Sequence, residues 1–340
     1  MEKTAMTQAT WALGETPWLF GDGGHPAPRS RVIIDNDFSG DPDDLYQVVH
    51  HVLSPSVDIR AIIGSHLRPD DPFDSGPDTA ANACQRLREL FAVMGLDAED
   101  RIFQGADVAL KDRTTAHDTP AARAIIAEAM RDDTDTPLFV VCGGGLTDLA
   151  SAWLLEPRIA ERLTVVWIGG PEYPQLAAEP PGITNPEYNL AIDVVAGQVL
   201  FNDSPLDLWQ VPRNIYRQCL VSDIELRLRV AGRGPLGRFL YDSISVVDRH
   251  VWATGALRAE TYALGDSPLV LLTALQSYFQ PDSSSSDHVV LPAPLLDDTG
   301  AATPRPDGRP IRVYTRVDTR LMFEDMFGKL QAFADWRTER

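Results

Sequence analysis

The sequence predicts an α/β fold: a mostly parallel, Rossmann-like sheet flanked by helices, with a helical accessory region towards the C-terminus. Two observations carry this. From Arg31 onward, short apolar or β-branched runs alternate with longer amphipathic stretches, the pattern of strands joined by crossover helices. The first such run, Val32-Ile33-Ile34, ends abruptly in five aspartates within ten residues: Asp35, Asp37, Asp41, Asp43 and Asp44. Carboxylates at a strand-to-helix handover stand where open α/β sheets bind ligands.

Taken in order, the strands are expected at Val32–Ile34, Ile59–Gly64, Arg101–Phe103, Leu138–Cys142, Leu163–Ile168 and Leu206–Val211. Each is a short, largely apolar run bounded by turn or charged residues. The helices between them are expected at Asp43–Leu53, Thr79–Met94, Ala121–Arg131, Thr147–Leu155 and Val194–Phe201, where apolar residues recur at helical spacing. Asp41-Pro42 reads as an N-cap followed by proline in the first helical position. After Pro212 the pattern turns helical, at Ile224–Val230, Pro235–Ala253, Pro268–Phe279 and Arg320–Trp336. The serine-rich stretch from Gln280 to Asp287 reads as a flexible loop, and Asp297 to Pro310 as a turn or hairpin crossing. Residues 1–29 read as an N-terminal extension and 30–340 as one domain.

Of the 340 residues, 44% are hydrophobic and 23% charged, enough to build a sizeable core. A net charge of -19 argues against a nucleic-acid backbone or an anionic membrane as partner, though not against an uncharged nucleoside or sugar. Cys84, Cys142 and Cys219 are far apart and odd in number, so neither a disulfide framework nor a cysteine metal site is expected. Reduced thiols and a start without a signal-peptide pattern imply a cytoplasmic protein. No 18-residue apolar run is present, so no membrane span is expected.

Five like charges so close repel one another unless a cation joins them, and a hard divalent ion suits carboxylate oxygens. Asp41, Asp43 and Asp44 could serve simply as first-turn acids at a helix N-terminus. Asp35 and Asp37 cannot. At i and i+2 on an extended strand end, they would share one face.

Further segments resemble the inosine-uridine-preferring nucleoside hydrolase family. Asp35-x-Asp37 followed by Asp43-Asp44 is similar to that family's opening motif. Leu53-Ser54-Pro55 with Ile59 to Gly64, the pair Asn82-Ala83, the turn Gly143-Gly144-Gly145-Leu146-Thr147-Asp148, Trp167-Ile168-Gly169-Gly170, Glu187-Tyr188-Asn189-Leu190 and Gly265-Asp266-Ser267-Pro268-Leu269 follow in the family's order. The resemblance implies calcium-dependent hydrolysis of a ribonucleoside N-glycosidic bond, releasing free base and ribose. It implies Asp37, Asp44, Asp266 and the Gly143 carbonyl as calcium ligands, with Asp37 also the catalytic base. Asp43, Asn185, Glu187 and Asn189 would bind the sugar, and Asp35 would orient the ligands from behind. The family's habit is a homo-oligomer.

Three departures stand out. Asp37 and Asp43 are two residues further apart than usual, so Phe38 to Pro42 must bulge. Gly265 stands where the family often has a histidine that helps the leaving base. Arg68 to Thr79 is longer than usual. His66, Tyr262, His250 and Tyr241 are the remaining candidates for a general acid. Trp167 and Trp252 could stack on a base. For Asp266 the competing role is a helix N-cap, and for Gly143 to Gly145 a plain turn.

Two other classes compete. Strand-Asp35-x-Asp37 also fits the nucleophile motif of a haloacid-dehalogenase-type phosphohydrolase, with Asp297-Asp298 binding magnesium, but this gives Asp43-Asp44 no role. A calcium-dependent nucleoside or sugar binder without turnover is the other, favoured by Gly265.

Overall fold

The computed structural model describes residues 11–20, 27–183, 185–253, 255, 259–277 and 285–338. Eight strands among these form the main sheet. They are β1 (Ser30–Asn36), β2 (Val57–Gly64), β3 (Ile102–Gln104), β4 (Leu138–Cys142), β5 (Thr164–Ile168), β6 (Asp207–Val211), β7 (Asp287–Pro292) and β8 (Pro310–Arg316). The order across the sheet is β7-β8-β6-β5-β4-β1-β2-β3. All pairs are parallel except β7 with β8.

The helices relevant to the site are α1 (Asp43–Val52), α2 (Thr79–Met94), α3 (Pro120–Ala129), α4 (Thr147–Leu155), α5 (Val194–Gln198), α6 (Gly234–Ala253), α7 (Pro268–Thr273) and α8 (Thr319–Thr338). Local chemistry sets their ends. Thr119 accepts the Ala122 N–H ahead of Pro120, a side-chain cap with proline in the first turn. Gly95 stops α2 at φ +68°, the left-handed conformation that glycine adopts without a Cβ penalty.

Helices cover both faces of the sheet, and alternation along each strand divides its side chains between two cores. Val32, Ile34 and Val141 pack with α1, α2, α7 and α8. Ile33, Val140 and Cys142 pack with α3, α4 and α5. Val32, Ile33 and Ile34 are fully buried, which is why β1 reads as an unbroken apolar run. Each such side chain contributes roughly 1.5–3 kcal/mol by leaving water.

Sequence and structure differ at five places. The C-terminal region is not only helical: β7 and β8 extend the main sheet, flanking the short hairpin Leu295–Leu296 with Ala302–Thr303. Helix α1 begins at Asp43 with Pro42 as its N-cap residue, so Asp41 does not cap it. The helix expected over Val194–Phe201 gives way to a π-helical turn, Val199–Asp203, and that over Ile224–Val230 to another, Leu226–Val230. Helix α7 ends at Thr273. Residues 278–284, covering most of the expected serine-rich loop, lie outside the described residues. Within 1–29, Trp11 pairs with Leu96 in a short parallel ladder and its indole donates to the Met94 carbonyl at 3.0 Å. Trp18 packs edge-on against Trp11 and Phe333. No described helix is long and apolar enough to cross a membrane.

Gly328 lies exposed inside α8, and a Cβ there meets nothing within 4 Å. Gly328→Ala is therefore expected to stabilise the fold by about 0.5–1 kcal/mol through backbone entropy alone. A urea midpoint that does not rise would overturn this.

Candidate active site

The sheet registers bring the critical strand ends level. Asp35 pairs with Cys142, Cys142 with Trp167, and Ile168 with Val211. Asp35-Asn36-Asp37, Gly143 and Gly169-Gly170 thus emerge along one carboxyl edge of the sheet. Asp266 arrives from the far end of the chain, between the short strand Thr261–Ala263 and α7.

Asn36 ties these pieces together. Its side-chain amide donates to Asp266 Oδ2 at 2.8 Å, Gln47 Oε1 at 3.2 Å and Asp44 Oδ1 at 3.5 Å. Its oxygen accepts the Gly143 N–H at 2.6 Å. Around this hub, ligand oxygens of Asp43, Asp44 and Asp266 lie within 4.8 Å of one another. Asp43 also accepts the Asp266 N–H at 3.1 Å. Asp266 does not act as a cap: the N-cap residue of α7 is Ser267, with no side-chain cap bond.

Asp37 stands beside this trio. It is 4% exposed, and its Oδ2 has no hydrogen-bond partner, nor does Asp44 Oδ2. A Cβ on Gly144 would lie 2.9 Å from the Asp37 carboxyl carbon, so glycine lets the turn after β4 close against it. Because β1 ends at Asn36, strict alternation does not carry on to Asp37. Asn36 joins the cluster, while Asp35 is buried near Asp148 with neither carboxylate oxygen paired.

Burial is the largest influence on every one of these carboxyls. It pushes Asp37 up to about 7 and Asp266 up to about 8. It also raises Asp43 and Asp44, helped by the charges of their neighbours. A free carboxyl titrates near 4, so between pH 4 and 8 the folded metal-free protein holds more protons than the unfolded chain. Stability from these groups is present at acid pH and lost as pH rises towards 8. Buried His50, lowered to about 4, and His51, also lowered, work in the opposite sense below about pH 6.5. With chelator present, Tm is therefore expected to fall between pH 6.5 and 8.5, and calcium to restore it most at pH 8.5. A Tm independent of pH and of calcium over that range would overturn this.

The remaining expected residues are placed as follows. Asn189 donates to the Gly143 carbonyl at 2.6 Å and the Ile168 carbonyl at 2.7 Å, occupying one lone pair of the expected carbonyl ligand. Glu187 is buried with both oxygens engaged, by the Gly170 and Leu190 N–H groups and by the Tyr216 hydroxyl at 2.6 Å. Asn185 is exposed and bonded to Glu179 and Arg213. His66 is buried, with Nδ1 donating to the Leu67 carbonyl and Nε2 on Thr147 Oγ1, both at 2.9 Å. Tyr262 donates to Asp41 at 2.5 Å. His250 lies on α6 and its side chain lies outside the described residues. Tyr241 donates to Asp223 at 3.3 Å. Trp167 is core, its indole donating to the Gly144 carbonyl at 3.1 Å, and Trp252 lies exposed on α6. Asp297 closes the small hairpin by accepting from Thr299 and Ala301, and Asp298 accepts from Gln198.

Sequence reading did not single out Asn36, Asp71, Tyr188 or Tyr216. Asp71 is fully buried in the long loop after β2, where it accepts from Arg68 at 3.1 Å and Tyr188 at 2.7 Å. A cavity of about 940 Å³ borders the site, lined in part by Trp167, Gly170, Asn185, Glu187 and Gln210; the Asp37, Asp43, Asp44 and Asp266 carboxylates do not line it.

The donor set fits a hard cation. Three carboxylates converge, half-buried Asp43 with buried Asp44 and Asp266, beside buried Asp37; Asp37 and Asp44 each keep an oxygen that nothing in the protein satisfies, and an oxygen-only site is what calcium takes.

A family model for inosine-uridine preferring nucleoside hydrolases matches residues 32–322. Among solved structures, the chain resembles a purine-preferring ribonucleoside hydrolase from Gardnerella vaginalis, with 17% identity, TM-score 0.68, and 90% of this chain and 100% of that one covered. It resembles an inosine-uridine preferring nucleoside hydrolase from Bacillus anthracis at 16% identity and TM-score 0.62, covering 89% and 99%. It is also similar to the type III effector protein XopQ complexed with adenosine diphosphate ribose, at 14% identity and TM-score 0.58, covering 92% and 93%. At such identities the likeness speaks for the fold alone. No curated protein sequence matches significantly.

Proposed function

The chain belongs to the inosine-uridine preferring nucleoside hydrolase family, and from that premise we propose that it hydrolyses the N-glycosidic bond of a ribonucleoside in a calcium-dependent reaction, releasing base and ribose. The observation that carries the reading is the meeting of Asp43, Asp44 and Asp266 beside Asp37 at the carboxyl edge of the sheet, with Asp37 Oδ2 and Asp44 Oδ2 buried and unsatisfied.

In this reading Asp43, Asp44 and Asp266, whose oxygens lie close together, would hold the ion with the Gly143 carbonyl, and Asp37, a ligand by the resemblance, would serve as the base beside them. Calcium, when bound, supplies positive charge that orders a water and the sugar's vicinal hydroxyls. Asp37 takes the proton from the attacking water through its unpaired Oδ2. Asn36 keeps Asp44 and Asp266 apart from solvent and in register. Asn189 fixes the Gly143 carbonyl, and Asp43, half-buried where Asp37, Asp44 and Asp266 are buried, would be open to a sugar hydroxyl. As the glycosidic bond breaks, positive charge develops on the ribose, and the surrounding carboxylates stabilise it.

The test is incubation with calcium and a panel of ribonucleosides, with free base and ribose quantified. Release that stops with chelator and returns with calcium supports the reading. Nucleoside bound tightly without release would make this a binding protein and overturn it.

A further inference from the structure

Resting on the hydrolase reading above, we infer that the substrate is a nucleoside whose base is a cation, quaternised at the glycosidic nitrogen. Three sets of contacts lead there.

The first is the lack of a free acid. The residue before Asp266 is Gly265, and a Cβ there would lie 3.2 Å from Tyr216 Cδ2 and 3.3 Å from Asp43 Oδ2. The Tyr216 ring takes the space a larger side chain would need. Among the described side chains around the cluster, the groups that could donate a proton are already committed. His66 uses both ring nitrogens on protein oxygens. Tyr188, Tyr216 and Tyr262 each give their phenolic proton to a carboxylate: Asp71 at 2.7 Å, Glu187 at 2.6 Å and Asp41 at 2.5 Å. A phenol held by a carboxylate gives up its proton reluctantly.

The second is charge. Outside Asp37, Asp43, Asp44 and Asp266 stand three more carboxylates: Asp41 and Asp71, whose charges act on Asp37, and Glu187, which holds the Tyr216 that lies against Gly265. One divalent cation offsets two of these seven charges, and Arg68 offsets one through Asp71. Two of the outer three, Asp41 and Asp71, lie in the segments longer than the family pattern, Phe38 to Pro42 and Arg68 to Thr79. The third is aromatic: each outer carboxylate carries a tyrosine, and the Tyr188 ring already holds a cation over its face, the Arg68 guanidinium at 5.2 Å from the centroid. A neutral base gains little from such a rim. A cationic one is attracted to it.

The chemistry closes without an acid. Water attacks C1′ and the C1′–N bond breaks. The bond's electron pair stays on nitrogen and cancels its positive charge, so the base departs neutral. The proton lost by water goes to Asp37. Nothing else is consumed.

The experiment compares the pyridinium riboside of nicotinamide with inosine and uridine, using the full-length protein with calcium and subtracting the uncatalysed rate. The pyridinium substrate is expected to show kcat/KM at least about 100-fold higher than inosine, the scale of one missing general acid. Its kcat should show no loss at high pH from deprotonation of an acid. Asp41→Asn should raise KM for the cation about fivefold more than for inosine, the effect of one nearby charge. Asp71→Asn, read the same way, stands in if that variant misfolds. His250→Gln reports on the undescribed side chain: a drop of about 100-fold or more in inosine turnover would identify an acid and overturn the inference. Inosine turned over as efficiently as the pyridinium riboside would also overturn it, leaving the hydrolase reading intact. Release from no nucleoside at all would overturn both.

Discussion

Asp37→Asn is expected to lower kcat by about two to four orders of magnitude, the usual cost of a lost general base, while calcium still binds. Asparagine keeps the shape and one oxygen but cannot take a proton. Asp37 lies outside the trio of mutually close ligand oxygens from Asp43, Asp44 and Asp266, so its loss removes the base without dismantling the cluster. Its environment suits the task. Burial pushes the metal-free carboxyl up to about 7, so it has proton affinity near neutral pH, and Oδ2 is left without a partner. Asp44→Asn is the contrast, since it withdraws charge from the cluster itself and should weaken calcium binding more than Asp37→Asn does. Base release measured by chromatography, beside calcium titration calorimetry, separates the two. If Asp37→Asn turned over at near wild-type rate with calcium bound, the base would have to be another group.

The sheet's parallel body was legible because its strands are buried on both faces. Leu138–Cys142 is an unbroken apolar run, and the helix over Thr79–Met94 shows an apolar face at helical spacing and ends in glycine. Strands β7 and β8 were harder to see for the converse reason. In β8 only Ile311, Val313 and Tyr314 are buried, Arg312 lies over the Trp209 ring at 3.8 Å, and β7 has no buried residue and ends in proline. Such a pattern reads as a loop as readily as a strand. At the site, Asp37, Asp43 and Asp44 announce themselves as a local cluster. Asp266 does not: its bond to Asn36 spans 230 positions, and only the family resemblance pointed to it. The tyrosine–carboxylate pairs are also non-local, from 29 positions for Tyr216 with Glu187 to 221 for Tyr262 with Asp41. Half-buried tyrosines have no sequence pattern that tells which carboxylate they will meet. Glycine at position 143 was legible as a turn, but the reason for it is spatial.

Gly143→Ala is expected to destroy the metal site. A Cβ at this position would sit 1.8 Å from Asp266 Oδ2 and 2.5 Å from Asn36 Oδ1. Neither neighbour is the loose end of a flexible chain. Asp266 Oδ2 is the oxygen bonded to the Asn36 amide at 2.8 Å, and Asn36 Oδ1 is bonded to the Gly143 N–H itself. To admit one methyl group, Asp266 must swing away, and the hub then loses the bond that holds the C-terminal carboxylate to the strand ends. Overpacking of this kind costs about 1–3 kcal/mol, but the larger effect is on function, since calcium would lose one of three convergent carboxylates. Calcium affinity should fall by about 100-fold, the upper end of the effect of losing ligand orientation, with activity following it. The thermal shift that calcium gives the wild type should shrink accordingly. Gly328→Ala is the matched control, because it adds the same methyl group where nothing stands in the way. Should Gly143→Ala keep wild-type calcium affinity, Asp266 would not be a ligand and the ion would have to sit on other carboxylates.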